Sequence, residues 1–114
     1  MVLRRPERVA KLIREEISQI LIREMRDPRV GTLEITQVKV TPDLREARVF
    51  FRMVGGESER AAVESALAGA RGFFQGQLGR RLGLRVTPDI TFKYDESLDE
   101  VSRIEALLEE SKTG

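Results

Sequence analysis

The sequence contains no cysteine, no histidine and no tryptophan. Without cysteine there is no disulfide and no thiolate metal site, which fits a reducing cytosol. Without histidine the chain lacks the side chain that most often moves protons near neutral pH. It has no GxxxxGKS/T phosphate loop and no dinucleotide fingerprint. No apolar run approaches the roughly 20 residues of a membrane helix. The opening "MVLRRPERVAKLIREE" is charged too early for a signal peptide. These absences argue against a catalyst, a cofactor, a small-molecule substrate and a membrane partner. Asp95, Glu96, Asp99 and Glu100 could hold a cation, but they lack calcium-loop spacing and read as helix-start acids.

What is present describes one domain. At 114 residues and 40% apolar composition, the chain is long enough to bury a real core and is not of disordered type. The formal net charge of +1 conceals an asymmetry. Residues 95–114 carry seven acids and two bases, a balance of −5; residues 1–94 carry 18 bases and 12 acids, a balance of +6. A basic body with an acidic tail suggests a polyanion partner.

Val9, Leu12, Ile13, Ile17, Ile20 and Leu21 recur at helical spacing, which predicts an amphipathic helix over about residues 5–26, ended by Asp27-Pro28. "LEITQVKVT" and "REARVFFRM" predict two strands joined by the turn residues "TPDL" into a hairpin. The first strand changes phase between Ile35 and Val38, as a bulge would cause. Ser58 is the expected cap of a helix carrying Val63, Ala66, Leu67 and Ala70. A second helix follows over about residues 72–84, then a strand in which Val86, Pro88, Ile90, Phe92 and Tyr94 alternate. Ser97 and Glu100 have capping-box spacing ahead of a short tail helix. The order α-β-β-α-α-β predicts an α+β domain over residues 1–95, a three-stranded sheet with helices on one face, and an acidic tail over residues 96–114. The helical pair between the second and third strands is long enough for those strands to run parallel.

The segment "GARGFFQGQLGRRLGLR", residues 69–85, spends five positions on glycine and carries four arginines with no acid. At 100° per residue, Gly72, Gly76, Gly79 and Gly83 form one stripe, while Phe74, Leu78 and Leu82 lie on another side. Four helical glycines cost roughly 3–4 kcal/mol relative to alanine, so close packing of another helix or of a ligand backbone should compensate. Helix packing is the plainer reading; phosphate approach to bare backbone is the alternative. Gln75 and Arg80 flank the stripe, with Arg71, Arg81 and Arg85 elsewhere around the helix.

"RPERVAKLIREEI", "RDPRVG", "ITQVKVTPDLREARVFF", "ARGFF" and "LRVTPDITFKYDESLDEVSRI" resemble, in order, the landmarks of the ribosome-binding factor A family. The resemblance covers about residues 5–108. It implies a KH-like fold of type II and a non-catalytic factor that binds the rRNA of the bacterial small ribosomal subunit late in assembly. It also implies that Ala70-Arg71-Gly72 is an interhelical kink standing in for a GxxG loop. The acidic tail departs from the extended tail of some members.

With that partner, Arg4, Arg5, Arg8 and Lys11 become candidate phosphate contacts. Arg4, Arg5 and Arg8 sit at a helix start, where the macrodipole favours acids instead. Arg71, Gln75, Arg80, Arg81 and Arg85 are the second candidate group. Arg23, Arg26 and Arg29, the "DPRVG" segment and Tyr94 read as structural; Phe50 and Arg52 occupy the sheet side opposite Val49 and Phe51, where core or edge packing of Phe50 is the plainer reading and stacking of a base the alternative. The expected protein is a cytoplasmic monomer without cofactor or metal. The competing class is a small protein-interaction or metabolite-sensing domain without RNA affinity, dimerising through the sheet or the glycine stripe.

Overall fold

The computed structural model describes residues 4–23, 33–97 and 107–108. The elements run α1 (Arg5–Arg23), β1 (Glu34–Val40), β2 (Glu46–Arg52), α2 (Glu57–Gly69), α3 (Arg71–Leu82) and β3 (Asp89–Tyr94). Val9, Ile13, Ile17 and Ile20 are the buried stripe of α1, spaced four, four and three residues apart. Full burial of each contributes about 1.5–3 kcal/mol before entropy is counted, enough to hold the helix on β1. Leu12, expected in that stripe, is 43% exposed. One residue before Ile13, it lies 100° round the helix. Arg4 precedes the helix, and its N–H donates to Glu7 Oε2 at 3.0 Å, so an acid in the first turn offsets part of the basic start.

The sheet order is β1-β2-β3. β1 and β2 pair antiparallel, and their register slips between Ile35 and Gln37, which leaves Thr36 as the extra residue of a bulge. β2 and β3 pair parallel, as the length of the helical crossover allows. One face of the sheet supplies Ile35, Ala47, Val49, Phe51 and Ile90 to a core completed by the three helices. Phe74 meets Phe92 edge to face with ring centroids 5.0 Å apart, and Phe51 meets Tyr94 at 5.7 Å. The hairpin turn is held by Thr41: its hydroxyl donates to Asp43 Oδ1 at 2.6 Å and accepts from the Glu46 N–H at 3.1 Å.

Several local expectations are corrected. The cap of α2 is Gly56, whose N–H donates to Glu59 Oε2 at 3.0 Å; Ser58 lies inside the first turn. Strand β3 begins at Asp89, with Pro88 buried just before it and Val86 exposed. Helix α3 ends at Leu82, and Gly83 caps it in the left-handed region at φ 63°. Phe50 keeps the expected side, opposite Val49 and Phe51, and is half-buried there rather than in the core. At the start of the tail, Asp95 caps residue 97: its Oδ1 accepts the Ser97 N–H at 3.0 Å and the Ser97 hydroxyl at 2.5 Å. Leu107 and Leu108 are helical and exposed. The expected extension of α1 to residue 26, Arg26, the "DPRVG" segment and Glu100 lie outside the described residues.

Candidate nucleic-acid interface

Helices α2 and α3 meet at a single residue. Ala70 has φ −93° and ψ 0°; its N–H still bonds Ala66 O at 3.0 Å, and its carbonyl accepts from Phe74 N–H at 3.1 Å. The chain thus changes direction there without stranding these two groups. The turn presents the first face of α3, and with it the glycines.

A β-carbon added at Gly69, Gly72 or Gly76 would meet no described atom within 4 Å. Among the described residues, close helix packing is therefore not what the stripe serves. At Gly79 the only neighbour is Thr87 Oγ1, at the 3.5 Å of ordinary contact. Gly83 belongs to the cap and leaves the helical stripe. Three glycines inside α3 still cost roughly 2.5–3 kcal/mol of helix propensity, and nothing described in the fold compensates them by close approach. The result is a strip of bare helix backbone facing outward.

The two flanks of this strip differ. On the flank towards β3, Gln75 Nε2 donates to Pro88 O at 2.7 Å while its Oε1 accepts the Ile90 N–H at 3.0 Å. Arg71 Nε donates to Ile90 O at 2.8 Å. These two side chains close backbone groups on the free edge of β3, where a sheet must otherwise leave donors and acceptors open. Gln75 is thus a strut with both amide ends engaged, and Arg71 is anchored by one nitrogen. Opposite the strip, Arg81 Nη1 lies 3.3 Å from Glu16 Oε2 and Nε donates to Gln77 Oε1 at 3.3 Å, which ties α3 to α1. Arg80 is exposed on the other flank beside Phe73, and Arg85 is exposed in the loop after the Gly83 cap.

Arg4, Arg5, Arg8 and Lys11 are all exposed at the start of α1. Glu16, where α3 touches α1, is about 17 Å along the helix from Arg5 at 1.5 Å per residue. The candidate cations therefore form two groups, one at the end of α3 and one at the start of α1. Arg4 also lines an open groove of about 630 Å³ with Lys39 and Val40 of β1. Arg60, which drew no attention in the sequence, reaches Glu64 at 3.1 Å and Glu96 at 3.2 Å and lies 4.1 Å over the Tyr94 ring. It fixes α2 to the end of β3; Glu64 is its neighbour one turn along α2, while Glu96 and Tyr94 become partners only through the meeting of those elements.

Asp95 is buried just after the end of β3. Besides Ser97 it accepts the Thr36 hydroxyl at 2.5 Å, so the bulge of β1 is joined to the end of β3. The Ser97 and Thr36 hydroxyls, in that order, hold its carboxyl below the ordinary aspartate value. The acids that suggested a cation site are thus accounted for at Asp95 by hydrogen bonds. Among the described residues no group of three or more acidic, histidine or cysteine side chains converges.

A three-stranded α+β domain with two helices joined at one residue between parallel strands is KH-like, and its bare, basic helix surface suits an anionic backbone. Within that class, the chain belongs to the ribosome-binding factor A family, whose model matches residues 5–108. It is 45% identical over 107 residues to the ribosome-binding factor A of Geotalea uraniireducens, covering 94% of this chain and 88% of that one. The crystal structure of ribosome-binding factor A from Thermus thermophilus superposes with a TM-score of 0.71 at 18% identity, covering 81% of this chain and 97% of that one. Coordinates of the Thermus factor fitted into a cryo-EM map of its complex with the 30S subunit give a TM-score of 0.67 at 19% identity, covering 80% and 96%.

Proposed function

We propose that this protein is a non-catalytic assembly factor that binds the rRNA of the small ribosomal subunit during late maturation. The observation that carries the reading is the outward glycine strip of α3, whose cost the fold does not recover. A sugar–phosphate backbone is a partner that needs such an approach, because a bare helix surface lets it come within reach of Arg80 and Arg85. The complex of the Thermus relative with the 30S subunit supports the same partner.

Recognition rests on shape and charge. The two groups of arginines stand too far apart to serve one phosphate, and they fit successive contacts along folded RNA. With no histidine or cysteine in the chain, the reading requires no bond to be made or broken. The work is a shift of population: the factor stabilises whichever subunit conformation it binds more tightly, and it leaves as that conformation is lost. It acts as a cytoplasmic monomer, where bacterial subunits are built. Family membership weighs against the metabolite-sensing alternative.

Co-sedimentation with separated small and large subunits at two salt concentrations tests this. The protein pellets with the small subunit only, and less so at high salt. Binding to neither subunit by a folded sample overturns the reading.

A further inference from the structure

The face of the sheet turned away from the helices carries charge that the fold does not use. Lys39 and Arg48 stand directly opposite each other in the antiparallel register, an arrangement that costs stability. Beside them, Phe50 of β2 is paired in register with Lys93 of β3. Lys39, Arg48 and Lys93 are exposed, and none has an ion pair with a described residue. Phe50 is half-buried at the centre of this belt, with Lys39 Nζ 5.6 Å over its ring. The acids Glu46 and Asp89 face each other at one end of the face, and at the other Glu34 is paired with Arg52, so the unopposed cations occupy its middle.

We infer that this open sheet face is a second RNA site, one that takes a single-stranded segment with an unpaired base on Phe50 and phosphates on Lys39, Arg48 and Lys93. An aromatic ring on a flat face serves an unstacked base and is useless to a duplex, whose bases are hidden. The groove that Arg4 and Lys39 line, with Glu7 and apolar side chains between them, leads from this face around the β1 edge towards the start of α1. Because the glycine strip lies on the helical side, a strand held here leaves that strip open to a different part of the RNA. The site rests on the reading of RNA as the partner, and it adds a class of RNA and a place for it.

The test is fluorescence anisotropy with a fluorescein-labelled single-stranded RNA of about ten nucleotides, titrated at several salt concentrations. Arg48→Gln combined with Lys93→Gln lowers affinity about tenfold and reduces the salt slope by about 1.4, two phosphates at about 0.7 each. Phe50→Leu lowers affinity by about tenfold with the slope unchanged, since it removes stacking and no charge. Arg48→Gln alone leaves the melting temperature equal or higher, because it relieves the like-charge pair. Wild-type affinity and slope in the double variant overturn the assignment, as does absence of binding by the unaltered protein. Equal binding of a duplex of the same sequence overturns the choice of single strand. Failure of the broader reading shows instead in subunit co-sedimentation of the unaltered protein.

Discussion

Asp95 and Gln75 show how single polar side chains decide the geometry around the interface. Asp95 is 7% exposed and accepts bonds from Thr36 and Ser97, so removing its carboxylate breaks the charge-assisted bonds that join the bulge to the tail. Asp95→Ala is expected to cost about 1–3 kcal/mol in denaturant unfolding. Its folded pKa is depressed, so the unfolded chain binds the proton more readily, and stability rises with pH through this range. The contribution is complete above the unfolded value of about 3.9 and is lost as pH falls towards the folded one. Acid titration of stability is therefore expected to be shallower in Asp95→Ala than in the wild type. Gln75→Leu removes both bonds to β3 and is expected to cost about 1–3 kcal/mol, with faster hydrogen exchange at the Ile90 amide as its local signature. If that amide exchanges as in the wild type, Gln75 is not the strut described.

At the scale of the element, α3 contains glycines with opposite roles. Gly83 sits at φ 63°, where an alanine pays about 1–2 kcal/mol for its β-carbon, so Gly83→Ala is expected to destabilise. Gly76 has helical backbone and open space, so Gly76→Ala is expected to stabilise by up to about 1 kcal/mol. Thermal unfolding of the pair distinguishes them by sign. The sequence could not separate these two residues, because helical periodicity runs through the cap without registering that the last glycine leaves the helix. What it did expose was whatever has a period: the apolar stripe of α1, the strand alternation, and the phase change that became the bulge at Thr36. Contacts set by tertiary meeting were hidden. Nothing in the spacing of Gln75 says that its amide will lie over a strand edge, whereas strand alternation alone already put Phe50 on the side opposite Val49 and Phe51. Glu59 took the capping role expected of Ser58 because its longer side chain reaches back to Gly56.

For the whole molecule, the described structure separates cations that hold the fold from cations that face outward. Arg60, Arg71 and Arg81 each bridge two elements, whereas Arg80 is exposed beside the open backbone of α3 and Arg85 is exposed in the loop that follows it. Substituting Arg80 and Arg85 together by glutamine is expected to weaken small-subunit binding and to flatten its salt slope by about 1–2, with little change in thermal stability. The most direct measurement replaces the emptiness itself. Gly72→Gln with Gly76→Gln adds two long, uncharged side chains at exposed positions where a β-carbon meets no described atom, and improves helix propensity. Co-sedimentation of this variant with small subunits, beside its melting curve, is the decisive comparison. The account predicts a protein at least as stable as the wild type that binds the subunit at least tenfold more weakly. Wild-type binding by that variant would show that the bare face of α3 does not meet RNA, and would contradict the account.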